Sequence, residues 1–232
     1  MRDFDDIFAE AAARHGGPQA LEAALATTSP LPADRIAAIP DDRILSQMAR
    51  HLFQSGFSWA VIDKKWPGFE DAFAGFDPAA NAAMSDERFD ELLKDTAIIR
   101  NGAKIRSVAL NAQFLVRLAA EHGSAARFFA DWPEDDVSGL LDYLKKHGDR
   151  LGGQIGARVI RALGKAAYIL SDSVVAALIE QGVVDNFPTS KRDLQAVQKA
   201  FNAWSVESGR DLTAISRTLA MSTGEITGGH HR

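Results

Sequence analysis

The chain has 232 residues, enough for one large or two small domains with a buried core, and its formal net charge of −5 argues against a strong nonspecific binder of nucleic acid. It contains no cysteine, which excludes disulfides and every thiolate metal site. No apolar run approaches the length of a membrane span, and acids occupy the N-terminus where a signal peptide needs basic residues, so we expect a cytoplasmic protein.

Apolar residues at helical spacing predict an all-α fold, with no alternating strand pattern of useful length. Glycine and proline near 16–18 and 27–32 separate short N-terminal helices from the rest of the chain. Helix starts are indicated at Pro40-Asp41-Asp42, Asp77-Pro78, Ser85, Asn101-Gly102 and Ser190, where the last forms a capping box with Asp193. Apolar stripes follow these starts within 44–52, 59–73, 89–93, 105–116, 140–144 and 194–204.

These signals divide the chain into three parts. Residues 1–39 are predicted to form an N-terminal helical extension, 40–222 the main helical domain, and 223–232 a flexible tail. The tail contains His230 and His231, but two histidines without carboxylate or cysteine neighbours do not make a metal site, and we expect no metal and no cofactor.

A glycine-rich turn near 140–165 is the second region whose residues are suited to bind a ligand. A helix is predicted to end at Gly148 and the next to begin near Gly156, with Arg150 and Arg158 flanking the turn. Gly152, Gly153 and Gly156 would allow an anion to approach backbone N–H groups at a helix N-terminus. The alternatives are a simple helix cap and a solvated basic helix face, which such clusters usually form.

Several segments resemble DNA-3-methyladenine glycosylase I when they are taken in order. They are Gln54-Ser55-Gly56-Phe57-Ser58-Trp59 for Q-x-G-x-S-W, then Lys64-Lys65, Phe76-Asp77-Pro78, Ile98-Ile99-Arg100-Asn101, Lys104-Ile105 and Asn111-Ala112. The resemblance implies a helix–hairpin–helix glycosylase fold, in which two helical lobes flank a base-binding cleft. It also implies the substrate, duplex DNA containing alkylated bases.

The resemblance also assigns candidate roles to single residues. The base pocket would contain His51, Gln54, Ser58 and Trp59, because indole stacks well on an extruded, electron-poor purine. Gly56 and Phe57 would form the wedge that fills the gap left by the flipped nucleotide. The predicted DNA-binding residues are Arg100, Lys104, Arg150, Gly152, Gly153, Gly156 and Arg158.

Asp172 and His51 each have two interpretations. Asp172 matches the aspartate that follows the hairpin in this superfamily, which makes it the candidate catalytic residue, although it could simply cap the following helix. His51 replaces the family's base-contacting glutamate, and it is equally compatible with a core position on the stripe of Ile44 and Met48. The family's zinc ligands are missing together, with Ser173 and Ala177 at two of their positions.

The resulting hypothesis is a monofunctional, metal-free DNA repair glycosylase that hydrolytically excises alkylated purines such as 3-methyladenine and acts as a monomer. No lysine occupies a clear Schiff-base position, so base removal is expected without strand cutting. The alternative is a catalytically inactive DNA-binding relative with an altered pocket. A third interpretation is a helical protein of another function that reuses the groove.

Overall fold

The computed structural model describes residues 1–224 and confirms the all-α prediction, since these residues form helices and no strand. One short 3-10 helix, Ala74–Phe76, adds to the α-helices. The α-helices are α1 (Phe4–Arg14), α2 (Pro18–Ala26), α3 (Ala33–Ala37), α4 (Asp41–Gln54), α5 (Trp59–Ala72), α6 (Pro78–Ala82), α7 (Asp86–Leu92), α8 (Gly102–His122), α9 (Ala125–Asp131), α10 (Val137–His147), α11 (Gly153–Ala162), α12 (Asp172–Glu180), α13 (Lys191–Ser208) and α14 (Leu212–Ser222). Most of the predicted tail 223–232 lies outside the described residues.

Four of the five predicted helix starts are confirmed by side-chain capping hydrogen bonds, and the fifth is confirmed because α4 begins at Asp41, although its N-cap residue Pro40 provides no side-chain cap. The carboxylate of Asp77 accepts from the N–H of Ala80 at 2.7 Å, and Ser85, Asn101 and Ser190 accept from the third residue after them. One boundary was wrong, because α11 begins at Gly153 instead of near Gly156. Sequence alone locates a capped helix start well, because the capping side chain and the N–H group that it accepts from lie within one turn, whereas α11 has no side-chain cap.

Residues 32–132 and 141–163 form one compact unit, in which α4 packs against α5, α8, α9 and α11. The carboxylate of Glu70 on α5 accepts hydrogen bonds from both terminal nitrogens of Arg43 at 2.9 Å. It also accepts hydrogen bonds from the hydroxyl of Ser46 on α4 and from the indole N–H of Trp66. Burial acts to raise the pKa of Glu70, but these donors hold it below its ordinary value. The α4–α5 pair is thereby fixed by a charged network beside a core of stacked phenylalanines.

Asp41, the first residue of α4, caps the N-terminus of α9. The two carboxylate oxygens of Asp41 accept the N–H groups of Ala125 and Ala126 at 3.1 Å, at the start of α9. Two orphan donors of α9 are therefore satisfied by a residue that the sequence marks only as a start of α4.

Residues 1–31, 133–140 and the described residues from 164 onward form the second compact unit, where α14 packs on both α1 and α12. Hydrogen bonds attach the N-terminal residues to α13: the indole of Trp204 donates to the carbonyl of Arg2, and the N–H of Phe4 donates to Glu207 at 2.6 Å. The zinc implied by the resemblance does not fit here, because a hydroxyl at Ser173 and a buried methyl at Ala177 are not zinc ligands.

Two negative findings concern the part of the chain that the structure describes. Within residues 1–224 no helix has the length and apolar character of a membrane span. Over the same range, no three His, Asp or Glu side chains are grouped as metal ligands would be.

Candidate functional site

The predicted wedge and stacking residues lie together at the junction of α4 and α5. Gly56 adopts a φ of 78°, which L side chains rarely adopt, and it turns the chain directly after α4. Phe57 and Trp59 follow with 39% and 49% of their surface exposed. Ser58 stands at the N-cap of α5 but makes no side-chain cap hydrogen bond. Two large apolar rings at a tight turn, both open to solvent, are suited to contact a planar ligand.

Lys104 on α8 holds this turn in place. Its ammonium donates to the carbonyls of Ser55 and Phe53 and lies 4.8 Å from the ring centre of Phe57. Desolvation, followed by the nearby charge of Arg150, lowers the pKa of Lys104. The sequence predicts a DNA contact for Lys104, and that role stays a prediction, because its visible contacts position the wedge.

His51 lies on the last turn of α4 with both ring nitrogens shielded from solvent and without a hydrogen-bond partner. Burial lowers its pKa from 6.5 to about 4, and the positive charges of Arg158 and Arg50 act in the same direction. The Gln54 amide is near enough to oppose this shift, yet no hydrogen bond of acceptable geometry joins the two side chains. His51 is therefore a neutral imidazole at pH 7.

Gln54 lies one turn further along α4 and is 6% exposed. Its amide nitrogen makes a long contact of 3.4 Å to Asp63 on α5, and its carbonyl oxygen is buried without a partner. Asp63 is itself bound by Arg50, whose guanidinium donates to it at 2.7 Å. The charges of Arg50 and Asp63 thus compensate each other, while the Gln54 carbonyl remains available.

Arg158 on α11 connects the hairpin to this site. Its guanidinium carbon lies 5.2 Å from the ring centre of Trp59, and one nitrogen donates to Gln154 at 3.2 Å. Within residues 1–224 no carboxylate lies within ion-pair distance of Arg158. The predicted stacking residue and a predicted DNA-binding residue are therefore in direct contact, which the sequence did not indicate.

The hairpin itself consists of α10, the turn at 148–152, and α11. Gly152 is the N-cap of α11 and provides no side-chain cap, and the first turn of that helix contains no acid. Gly153 has a φ of 60° and Arg150 one of 57°, so two nearby residues of the turn are left-handed. Uncapped N–H groups at a helix N-terminus, beside an exposed arginine, favour an anion such as a phosphate.

A clamp of three polar residues, Ser107, Asn111 and Asp149, fixes the hairpin to α8. The Asn111 amide donates to the carbonyl of Asp149 at 3.0 Å, and its oxygen accepts the Asp149 N–H at 2.8 Å. The Ser107 hydroxyl donates to the Asp149 carboxylate. Asn111 and Ser107 are fully buried, so this clamp sets the position of Arg150, the next residue.

The hairpin is predicted from sequence to bind DNA, and on that prediction we expect Asn111→Ala to weaken the binding about tenfold, with a smaller dependence on salt, because the freed hairpin would lose ordered phosphate contacts. The measurement is fluorescence anisotropy with a short duplex at several salt concentrations. Gln113→Ala, which removes an exposed amide from the same helix, is the matched control. Equal affinity and equal salt slope for wild type and Asn111→Ala would contradict a positioning role for the clamp.

Two other predicted residues, Asp172 and Arg100, are exposed to solvent. Asp172 belongs to the second compact unit, is exposed, and is the first residue of α12. The interpretation of Asp172 as the helix cap was wrong, because the Ser171 hydroxyl accepts the N–H of Val174 and takes that role. Arg100 is exposed just before α8. The catalytic role of Asp172 and the DNA contact of Arg100 stay predictions.

The α4–α5 junction lies within a segment that matches known proteins, whereas the hairpin turn and Arg158 lie beyond that segment. A family model described as methyladenine glycosylase matches residues 37–141, which confirms the resemblance over that range. DNA-3-methyladenine glycosylase 1 of Escherichia coli is 35% identical over 65 residues, 28% of this chain and 35% of the relative. The enzyme from Haemophilus influenzae is 33% identical over 60 residues, 26% of this chain and 32% of the relative. The chain thus matches about a third of the length of these curated relatives.

Solved structures of 3-methyladenine DNA glycosylase I are also similar. One from Staphylococcus aureus is 23% identical, covers 60% of this chain and 79% of its own, and gives a TM-score of 0.47. A mutant of that enzyme is 20% identical, covers 67% and 90% of the two chains, and gives a TM-score of 0.48.

Proposed function

We propose that this protein, whose residues 37–141 match the methyladenine glycosylase family, excises alkylated purines such as 3-methyladenine from duplex DNA by hydrolysis. The observation that carries the proposal is the location of His51, Gln54, Phe57 and Trp59 at one helix junction inside the matching segment. Residues 141–163, which contain the turn and α11 of the basic hairpin, belong to the same compact unit, so base and backbone contacts are available together.

The chemistry follows from these groups. Phe57 fills the gap that the flipped nucleotide leaves, and the base stacks on Trp59 beside His51 and Gln54. The bond between the sugar C1′ and the base nitrogen breaks, the cationic base takes the electron pair and leaves neutral, and water supplies the hydroxyl at C1′ and releases its other proton to solvent. Asp172 would stabilise the cationic sugar or orient that water. Net hydrolysis leaves the strand intact, and we propose that the protein acts as a cytoplasmic monomer.

One observation favours a second candidate, an inactive DNA-binding relative. The buried His51 nitrogens have no partner, and the Arg158 guanidinium lies on the indole that the base would need. A site closed in this way would keep the hairpin and its affinity for DNA while it releases no base.

Release of free base from duplex DNA methylated at N3 of adenine tests the proposal. Wild type should release 3-methyladenine, Asp172→Asn should be slower by about 100-fold, and Trp59→Ala by about 10- to 100-fold. Asp86→Asn is the control for Asp172, since each is the first residue of a helix capped by serine. Phe187→Ala controls for loss of an exposed aromatic ring, as Phe187 is 48% exposed.

The outcomes separate the candidates. Release by wild type and both controls, with loss in the two site variants, supports the glycosylase and its site. DNA binding without release of any base from wild type supports the inactive relative.

A further inference from the structure

Three polar atoms on the last turn of α4 are buried without partners, namely Nδ1 and Nε2 of His51 and Oε1 of Gln54. The two residues are three apart, so their side chains lie on the same side of the helix. A buried polar atom without a hydrogen bond costs about 1–3 kcal/mol, so such atoms are rare unless a ligand satisfies them. A neutral imidazole supplies one donor and one acceptor, and the Gln54 oxygen adds an acceptor. This set complements the edge of a nucleobase.

The charges around these atoms are unbalanced. Arg50 and Arg158 both act on the His51 ring, from its own helix and from α11. The carboxylate of Asp63 on α5 contacts the Gln54 amide but is bound by Arg50, which leaves Arg158 uncompensated among the described residues. A cation placed against His51 would be repelled by Arg158, and Asp63, the carboxylate that contacts Gln54, is already bound by Arg50.

We propose that His51 and Arg158 set the charge preference of this site, so that it binds an uncharged alkylated purine more tightly than a cationic one such as 3-methyladenine, whose charge instead makes it a good leaving group. The inference deepens the proposed function and rests on it, because it names the lesion class that the same site selects. Trp59 stacks on any purine, whereas His51 and Gln54 offer hydrogen bonds to its edge without a negative charge. A glutamate at position 51 would reverse the preference by attracting a cationic base.

Equilibrium binding to two duplexes tests the proposal. One contains a single N3-methyladenine, which is cationic, and the other contains a single 3-methyl-3-deazaadenine, which has the same shape and is uncharged. Both carry fluorine at the 2′ position of the target sugar, so that cleavage does not interfere. The quantity measured is the ratio of the two dissociation constants, cationic over uncharged, for wild type, His51→Glu and the uncharged control His51→Gln.

For wild type we expect a ratio above one. His51→Glu should lower the ratio by at least about tenfold, and His51→Gln should leave it within about threefold of wild type. Because the same two lesions are compared in every variant, any remaining difference in their shape cancels. Should His51→Glu fail to fold, Arg158→Gln removes the uncompensated guanidinium and should also lower the ratio.

The proposal would be overturned if the ratio of the two dissociation constants were unchanged in folded His51→Glu, or in Arg158→Gln where that variant is used instead. Equal affinity of wild type for both lesion duplexes and for an unmodified duplex would also overturn it, since the base would then not reach His51. Failure of the proposed function is distinct from either result. A protein that shifts its binding ratio as expected but releases no base lacks the activity, whereas one that releases base with an unchanged ratio lacks the charge preference.

Discussion

Gly156→Ala is expected to lower the free energy of unfolding by more than about 2 kcal/mol and to abolish measurable DNA binding. A Cβ at this position would lie 2.3 Å from the carbonyl oxygen of Leu151 and 3.4 Å from the side chain of Leu141. The oxygen belongs to the backbone of the hairpin turn, so the turn must move. Alanine in an open helical position would instead stabilise the helix by about 1 kcal/mol, so the sign of the effect reports the clash.

Gly153→Ala is the matched control for this substitution. Gly153 has a φ of 60°, and no atom lies within 4 Å of its Cβ position, so only the left-handed backbone is penalised. That penalty is about 1–2 kcal/mol. Urea denaturation and anisotropy with a short duplex measure both effects. A Gly156→Ala protein as stable as wild type would show that the turn shifts without cost, which contradicts the close packing of α11 on it.

Stability should fall by at most about 3 kcal/mol as the pH decreases from 6.5 to 4, through His51 alone. The folded state holds the pKa of His51 at about 4, against 6.5 in the unfolded chain, chiefly because the ring is buried and then because Arg158 and Arg50 are near. Between these values the unfolded chain binds the proton and the folded chain does not. The contribution is therefore complete above pH 6.5 and lost as the pH falls towards 4.

Urea denaturation at pH 7.5 and at pH 4.5 measures this effect against His51→Gln. Other groups titrate in the same interval in both proteins, so the difference between the two slopes isolates His51. The variant should lose less stability on acidification than wild type. Equal losses would mean that the imidazole is already exposed to solvent in the folded protein, and that His51 does not lie in a dry site.

Local features of this fold were predictable from sequence and long-range ones were not. Ser85 and Asn101 cap helices that begin at the next residue, so the signal and its target lie together. Asn111 was visible only as part of a motif, and its partner Asp149 is 38 residues away. The cap at α12 was misplaced by one residue, from Ser171 to Asp172, because both residue types suit that position.

The candidate site shows the same division. Placing His51 on the apolar stripe of α4 predicts a buried ring, but the sequence gives no sign that Arg158 approaches it from another helix. Trp59 was assigned to an apolar stripe, yet it is half exposed because it is the first residue of α5 and precedes the buried part of that helix, which begins at Ile62. The exposure of the Trp59 indole and the shielding of the His51 imidazole from solvent result from packing between helices, which the periodicity of the sequence does not encode.

The guanidinium of Arg158 lies on the face of Trp59, and it cannot at the same time bind an anion at a distance from that ring. The contact with the indole and a contact with such an anion would therefore compete for this one side chain, and by linkage each would weaken the other by the same free energy. An anion that drew the arginine away would uncover the indole, and a planar ligand on the indole face would release the arginine. The affinity for a DNA phosphate and the occupancy of the Trp59 ring by a planar ligand would thus be thermodynamically linked through the side-chain conformation of Arg158.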